Sequence, residues 1–322
     1  MRSVDIIIPI FNEEACLPEL GRRLLALRDR MADRRLGVIF VNDGSTDRSA
    51  ELLRTFAQAH PFARVVQLAR NFGHQCAISA GLDIADADCV AIIDGDLQDP
   101  PELIADMVPL LEQGCDVVYG QRRGRAGESW FKLATARLFY RFFSRVLRVN
   151  IPQDTGDFRV VSRRVVDALR QLREKHRFLR GLVPWLGFRA RPFPYDRDRR
   201  YAGVTKFGVT KMARFALDAI FSFSNQPLRL ATYLGLMLTL TGFTLGLVVV
   251  YLRLFTTYTV PGISAVLVAV LFIGGLQSFI LGICGEYLGR VYEQVKNRPL
   301  YVVDYYLNHP PPPGEKAPAS PR

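Results

Sequence analysis

Residues 90–102, VAIIDGDLQDPPE, decide the fold. Val90 to Ile93 are four apolar residues in a row, the length and composition of a buried strand. The run stops at a cluster of carboxylates, Asp94, Asp96 and Asp99, and Gly95 lets the backbone turn tightly between the first two. Carboxylates at the C-terminal edge of a parallel strand stand where open α/β sheets bind ligands. Asp94 and Asp96 together suit a hard divalent cation, Mg2+ or Mn2+, which takes oxygen ligands and shares them with substrate phosphates. Asp99-Pro100-Pro101-Glu102 reads as a helix N-cap with proline in the first turn. Alone, the DxD reads first as a polar strand-to-helix turn. Its neighbours decide.

Upstream, Val4–Ile10 is a β-rich apolar run closed by Phe11-Asn12-Glu13-Glu14. Helical spacing follows at Leu17, Leu20, Leu24 and Leu27. Gly37–Val41 is a second strand, closed by Asn42-Asp43-Gly44-Ser45-Thr46-Asp47. Ser49–His60 reads as helix, Arg64–Leu68 as a third strand, and Gln75–Ala85 as a helix after Arg70-Asn71-Phe72-Gly73. Downstream of the quoted stretch, Asp116–Tyr119 is a further strand. Strands alternating with helices of about ten residues predict a parallel sheet with helices on both faces. In such a sheet the strand-to-helix turns share one edge, so Glu13, Asp43, Asn71 and Asp94 converge there.

The 322 residues are enough for one large domain plus additions, and a net charge of +11 favours an anionic partner. Cys16, Cys76, Cys89, Cys115 and Cys284 show neither metal-ligand spacing nor a disulfide framework, which fits a reducing compartment. MRSVDIIIPI has no signal-peptide apolar region, so a soluble domain is expected to begin at once. After Tyr119 the composition turns basic and aromatic. In GQRRGRAGESWFKLATARLFYRFFSRVLR, Arg137, Arg141, Arg145 and Arg148 share one helical stripe, opposite Leu138, Phe139, Phe142, Phe143 and Val146. That pattern reads as a membrane-surface helix. No nucleic-acid-binding motif accompanies the charge, so nucleic acid is not expected as a partner.

A second amphipathic helix is expected over residues 206–228, with Met212, Phe215, Ala219 and Phe223 on its apolar face. Leu230–Leu252 and Ile263–Gly285 are each 23 residues without a charge. Either can cross a hydrocarbon core of roughly 30 Å at about 1.5 Å per residue. Lys206, Lys211, Arg214 and Arg229 precede the pair and Arg290, Lys296 and Arg298 follow it, while only Arg253 lies between. The positive-inside rule therefore puts both ends in the cytoplasm. The expected organisation is a cytosolic domain over 1–205, a juxtamembrane amphipathic helix over 206–228, two transmembrane helices within 229–290, and a cytosolic tail over 291–322. The proline-rich end of the tail, from Pro310, is expected to be disordered.

IPIFNEE, VNDGSTD, ARNFGHQCAISAGL and DGDLQDPPE resemble the nucleotide-sugar domain of family 2 glycosyltransferases. The resemblance implies a Rossmann-like domain of the GT-A type and a nucleoside-diphosphate-sugar donor. On the matching positions Pro9, Phe11, Glu13 and Asp43 would hold the nucleoside, and Asp94 and Asp96 the metal and pyrophosphate. Asn42 stands where many members have a second Asp. DTGDFR (154–159), AGVTKF (202–207), the two apolar segments, and GEYLGR (285–290) running to Lys296-Asn297-Arg298-Pro299 narrow the resemblance to bactoprenol glucosyltransferases. They are also similar to aminoarabinosyl and dolichol-phosphate mannosyl enzymes. The QxxRW motif of processive polysaccharide synthases is absent.

The implied reaction is metal-dependent, inverting transfer of a hexose, glucose first, from a UDP-sugar to polyprenyl (undecaprenyl) phosphate. Aminoarabinose or mannose transfer is the alternative. A non-catalytic scaffold for anionic lipid would explain the charge and the apolar segments but leave the convergent polar turns without a role. Asp157 and Asp96 are the catalytic candidates. The resemblance makes Asp157 the usual base, but a phosphate monoester with a second pKa of about 6 is already largely a dianion at neutral pH. The chemistry therefore favours a positioning role for Asp157. Acceptor-phosphate contacts are expected from Arg122, Lys132, Arg137, Arg200 and Lys206. The resemblance also implies a multi-pass protein of the bacterial inner membrane, in contact with its lipids, and a homotetramer.

Overall fold

The computed structural model describes residues 1–123, 155–175, 177–198, 226–255 and 262–309. Four parallel strands carry the apolar runs: β1 (Ser3–Ile10), β2 (Arg35–Asn42), β3 (Ala63–Leu68) and β4 (Cys89–Ile92), in the spatial order β4-β1-β2-β3. Helices α1 (Leu17–Arg30), α2 (Ser49–Ala59) and α3 (His74–Ile84) make the crossovers. Both faces of β1 are covered, so its residues need not alternate in polarity. Ile6, Ile8 and Ile10 share a core with Leu17, Leu20, Leu24 and Leu27 of α1. Ile7 points the other way, against α3, so closely that a Cβ on Gly81 would stand 2.4 Å from its Cγ2. Only glycine permits that approach.

After β4 the chain makes a 3-10 turn (Pro101–Leu103), then α4 (Ile104–Glu112) and β5 (Val117–Arg122). The remaining strands come from further along. β6 (Thr155–Ser162) inserts antiparallel between β4 and β5, followed by α5 (Arg163–Gln171) and α6 (Leu179–Trp185). β7 (Ala190–Tyr195) lies parallel to β5 at one edge, and β8 (Val303–Leu307) lies antiparallel to β3 at the other. The sheet order is β7-β5-β6-β4-β1-β2-β3-β8. The expected α/β class and parallel-rich sheet are what forms, with β6 and β8 as antiparallel members.

One local expectation is overturned. Asp99 does not cap a helix: Pro100 holds the N-cap position of the 3-10 turn, and no side chain caps it. The Asp99 carboxylate turns inward and accepts the Tyr195 hydroxyl at 2.5 Å. The described cysteines are free.

The chain divides into two compact units, one of Met1–Phe207 with Pro299–Arg322 and one of Gly208–Arg298. The second unit holds α7 (Gln226–Phe255) and α8 (Ile263–Val295). Leu236, Leu240, Phe243 and Leu247 stand exposed along α7, the reverse of a soluble core helix. Thr232, Thr239, Thr241 and Thr244 each donate a hydroxyl proton to the carbonyl four residues earlier, so their polar groups are satisfied within the helix. Both helices are long and apolar enough to cross a membrane. The expected amphipathic helices, around 125–148 and over 206–228, and the proline-rich end of the tail lie outside the described residues.

Candidate active site

The C-terminal ends of β1 to β4 share one edge, as expected, and their turns are knitted together. Asn12 adopts a left-handed conformation, φ 55°. Its N–H donates to Ser45 Oγ at 3.0 Å, and its Oδ1 accepts the Thr46 N–H at 2.8 Å. The Glu13 and Glu14 N–H groups donate to Ser49 Oγ and Asp47 Oδ2, each at 3.1 Å. Much of the FNEE and NDGSTD polarity therefore holds two loops in register. Pro9 is buried within β1, while Phe11 beyond its end is 40% exposed. An open aromatic ring beside a polar cleft can stack on a base.

Asp43 is buried, and its oxygens accept the N–H groups of Phe72 at 2.7 Å and Gly73 at 2.9 Å. Burial raises its carboxyl above the ordinary range, partly offset by those two donors. Asp43 thus shapes the loop in which Arg70 lies over the Phe72 ring, 4.2 Å from its centroid.

That loop delivers His74 at the start of α3. Its Nε2 lies 3.4 Å from Asp94 Oδ1 and 3.2 Å from Asp157 Oδ2. Asp157, 1% exposed in β6, is heavily partnered. Arg180 on α6 grips both its oxygens, Nε to Oδ1 at 3.1 Å and Nη2 to Oδ2 at 2.8 Å. Gln75 links the same carboxylate to α6, donating to Asp157 at 3.5 Å while its Oε1 accepts the Leu179 N–H at 2.9 Å. Burial alone would raise the Asp157 carboxyl, but Arg180 and His74 outweigh it and hold the group well below the usual carboxylate range. Such a carboxylate takes no proton near neutral pH.

Asp94 is the opposite case. Its Oδ1 is buried with no hydrogen-bond partner. Burial pushes the carboxyl up to about 6; His74 opposes the rise, and Asp157, Asp99 and Asp96 add to it. Asp96 is buried and accepts the Gln98 N–H at 3.2 Å. Between them Leu97 takes a left-handed φ of 61°, a strain of about 1–2 kcal/mol for a side-chain-bearing residue. Asp99, fully buried, has Arg197 Nε at 3.6 Å as well as the Tyr195 hydroxyl. Arg122 ends β5 with its Nη2 against Gly156, 3.0 Å from where a Cβ would stand. Lys132, Arg137, Arg200 and Lys206 lie outside the described residues.

Sequence reasoning overlooked His74, Gln75 and Arg180. The first two open a helix directly after a polar turn, which is a readable signal. Arg180 sits in HRFLRG with no local mark. The residues fit a divalent cation: buried carboxylates crowd together, one has an open oxygen, and ligand-type atoms of His74, Asp94 and Asp157 lie within 4.8 Å of one another.

Buried acids thus gather at the C-terminal edge of a parallel-rich sheet, where open α/β folds bind ligands, and the chain's relatives give the class. Residues 5–170 match glycosyl transferase family 2. The chain belongs to that family and is a glycosyltransferase. It is 45% identical over 299 residues to the uncharacterized glycosyltransferase YkcC of Bacillus subtilis (strain 168), covering 93% of this chain and 92% of that one. It is 35% identical over 301 residues to the SfII prophage-derived bactoprenol glucosyl transferase of Shigella flexneri, covering 94% and 97%. Among solved structures it is similar to mannosyltransferase PcManGT from Pyrobaculum calidifontis in complex with GDP-Man and Mn2+, at 19% identity and a TM-score of 0.46, covering 88% and 86%.

Proposed function

We propose that this glycosyltransferase moves a hexose, glucose first, from a UDP-sugar to polyprenyl phosphate at the cytoplasmic face of the bacterial inner membrane, with inversion at the anomeric carbon. The observation that carries the reading is the 35% identity to a bactoprenol glucosyl transferase over 94% of the chain, a span that takes in both long apolar helices. A lipid-borne acceptor also gives those helices a purpose. The first unit is built from chain on both sides of the second. Two crossings would bring both ends of the helical pair out on one side of the bilayer. That agrees with the charge asymmetry of the flanks.

Pro9, Phe11, Glu13, Asp43 and Asp94 are assigned to the donor. A divalent cation held by Asp94 and Asp96 would neutralise charge developing on the departing nucleoside diphosphate. The nucleophile is an acceptor phosphate oxygen. It forms a bond to the anomeric carbon as the bond to the diphosphate oxygen breaks, and the electron pair leaves with the UDP. With a second pKa of about 6, the phosphate needs no base to become a dianion. Asp157 is assigned to orienting Arg180 and His74 beside the reacting groups. Arg122, Lys132, Arg137, Arg200 and Lys206 are assigned to the acceptor phosphate at the headgroup plane. The test is a panel of nucleotide sugars offered to the reconstituted enzyme with undecaprenyl phosphate. Sugar incorporation into lipid from UDP-glucose above all others is the expected result. Incorporation from another donor would replace the sugar, and none into lipid would remove the acceptor.

A further inference from the structure

We propose that His74 Nε2 is a direct ligand of the divalent cation, beside Asp94, and that it tilts the site toward first-row transition ions over Mg2+. The inference rests on the reading that Asp94 and Asp96 hold a cation. It adds a residue and a metal preference that the DxD alone does not supply.

The geometry comes first. Metal–ligand bonds of about 2.0–2.2 Å place neighbouring ligands of one ion about 3 Å apart. His74 Nε2 and Asp94 Oδ1 are 3.4 Å apart, so both can reach a shared cation with little movement. The carboxylate oxygen that faces His74 is also the one with no hydrogen-bond donor. The imidazole's hydrogen bond goes instead to Asp157 Oδ2 at 3.2 Å, which leaves the Asp94 oxygen unsatisfied.

Asp157, which orients the imidazole through that bond, can release Nε2 to a cation, because Arg180 already grips both its oxygens. It therefore stays with Arg180 and contributes charge from beside the ion. The scaffold is rigid: His74 opens α3, and the N–H of the preceding Gly73 is tied to Asp43. The imidazole is 43% exposed, so an ion can reach it from solvent. Among the other described histidines, His60 stacks against Phe56 and Phe62, and His309 lies beside Tyr306. An imidazole nitrogen strengthens binding along the series from Mn2+ to Co2+, whereas Mg2+ keeps oxygen ligands.

The experiment uses the full chain in lipid nanodiscs with Mn2+ as the probe, followed by electron paramagnetic resonance. Continuous-wave spectra count bound Mn2+, and pulsed spectra report a coordinated imidazole nitrogen. In the wild type, bound Mn2+ should show imidazole nitrogen modulation. In His74→Gln the modulation should vanish. Mn2+ affinity should fall about tenfold or more, while Mg2+ affinity measured by competition should change less than about twofold. Bound Mn2+ without nitrogen modulation in the wild type overturns the proposal, whether or not the variant folds. Modulation that persists in a folded His74→Gln enzyme also overturns it. Failure of the wild type to bind Mn2+ at all is a different result, which removes the cation reading beneath it.

Discussion

Asn42 is fully buried, and both ends of its side chain are satisfied: Nδ2 donates to Gln67 Oε1 at 2.7 Å and Oδ1 accepts the Ser45 N–H at 3.2 Å. Gln67 cannot turn its amide over without cost, because its Nε2 already donates to the Leu68 carbonyl at 3.0 Å. Position 42 must therefore supply a donor, and a carboxylate has none at neutral pH. Asn42→Asp should destabilise the enzyme by about 2–3 kcal/mol, the cost of facing a buried charge with an acceptor. Calorimetry at pH 7 should read this as a melting temperature lower by roughly 4–8 °C. An unchanged transition would mean that the amide pair rearranges freely. Asp157 makes a kinetic prediction at the same scale. Gripped by Arg180, it stays ionised through the working range, so the acidic limb of kcat/KM should follow the acceptor phosphate near a pKa of about 6. With the proposed phosphate acceptor, Asp157→Asn should slow turnover about 10–100-fold and keep that limb. A variant that lost the limb would make Asp157 the base.

Between elements, α1 and the turn after β4 are joined by a two-pronged ion pair. Arg23 Nε and Nη2 each donate to Glu102 at 2.6 Å. Burial alone would raise the Glu102 carboxyl; the Arg23 bonds outweigh it and leave the group below its ordinary value. A carboxylate whose folded pKa is depressed stabilises the fold above its unfolded value, about 4.3, and loses that contribution as pH falls. Because the pair is partly exposed, Glu102→Gln should cost only about 1 kcal/mol at pH 7. Melting curves of the two proteins should converge as the pH falls below the ordinary carboxylate range, and a gap of constant size would place the effect elsewhere. The element scale also shows what could be read from the chain. β1 to β5 and α1 to α4 announce themselves by local apolar runs, so their positions are legible within a few residues. β6 and β8 depend on partners far away in sequence, and DTGDFR looks like a motif before it looks like a strand. Asp99 misled because the sequence Asp-Pro-Pro-Glu has capping chemistry, while the Tyr195 that claims its carboxylate arrives on β7.

In the molecule as a whole, Asp43, His74, Asp94, Asp157 and Arg180 come to the site from five segments that local patterns do not link. The convergent turns supplied Asp43, Asp94 and Asp96 directly. His74 and Gln75 lie inside ARNFGHQCAISAGL at the start of its helix, and Arg180 shows its role only where α6 packs beside β6. Chain topology likewise decides which end of the protein matters. Tyr301 donates its hydroxyl to Asp83 at 2.5 Å, and Arg173 holds the same carboxylate at 2.8 and 2.9 Å. Asn308 donates to the carbonyls of Ala57 and Ala63. A chain ending at His309 should therefore keep its melting temperature and turnover, since it loses only proline-rich residues without apolar periodicity. A chain ending at Arg298 should unfold more readily and aggregate, because β3 becomes a bare edge. Equal behaviour of the two truncations, followed by light scattering and activity, would show that β8 is dispensable.

The place of β8 also sets an order of manufacture. The ribosome makes β3 early, then both apolar helices, and only afterwards the strand that covers β3. Until β8 is made, the β3 edge of the nascent sheet has no partner strand. If the pair inserted with only one crossing, β8 would be stranded across the membrane from its partner. On the proposed two-span topology the sheet would be completed only in molecules whose helical pair had returned the chain to its starting side, so the final strand would report on the topology of the chain that carries it.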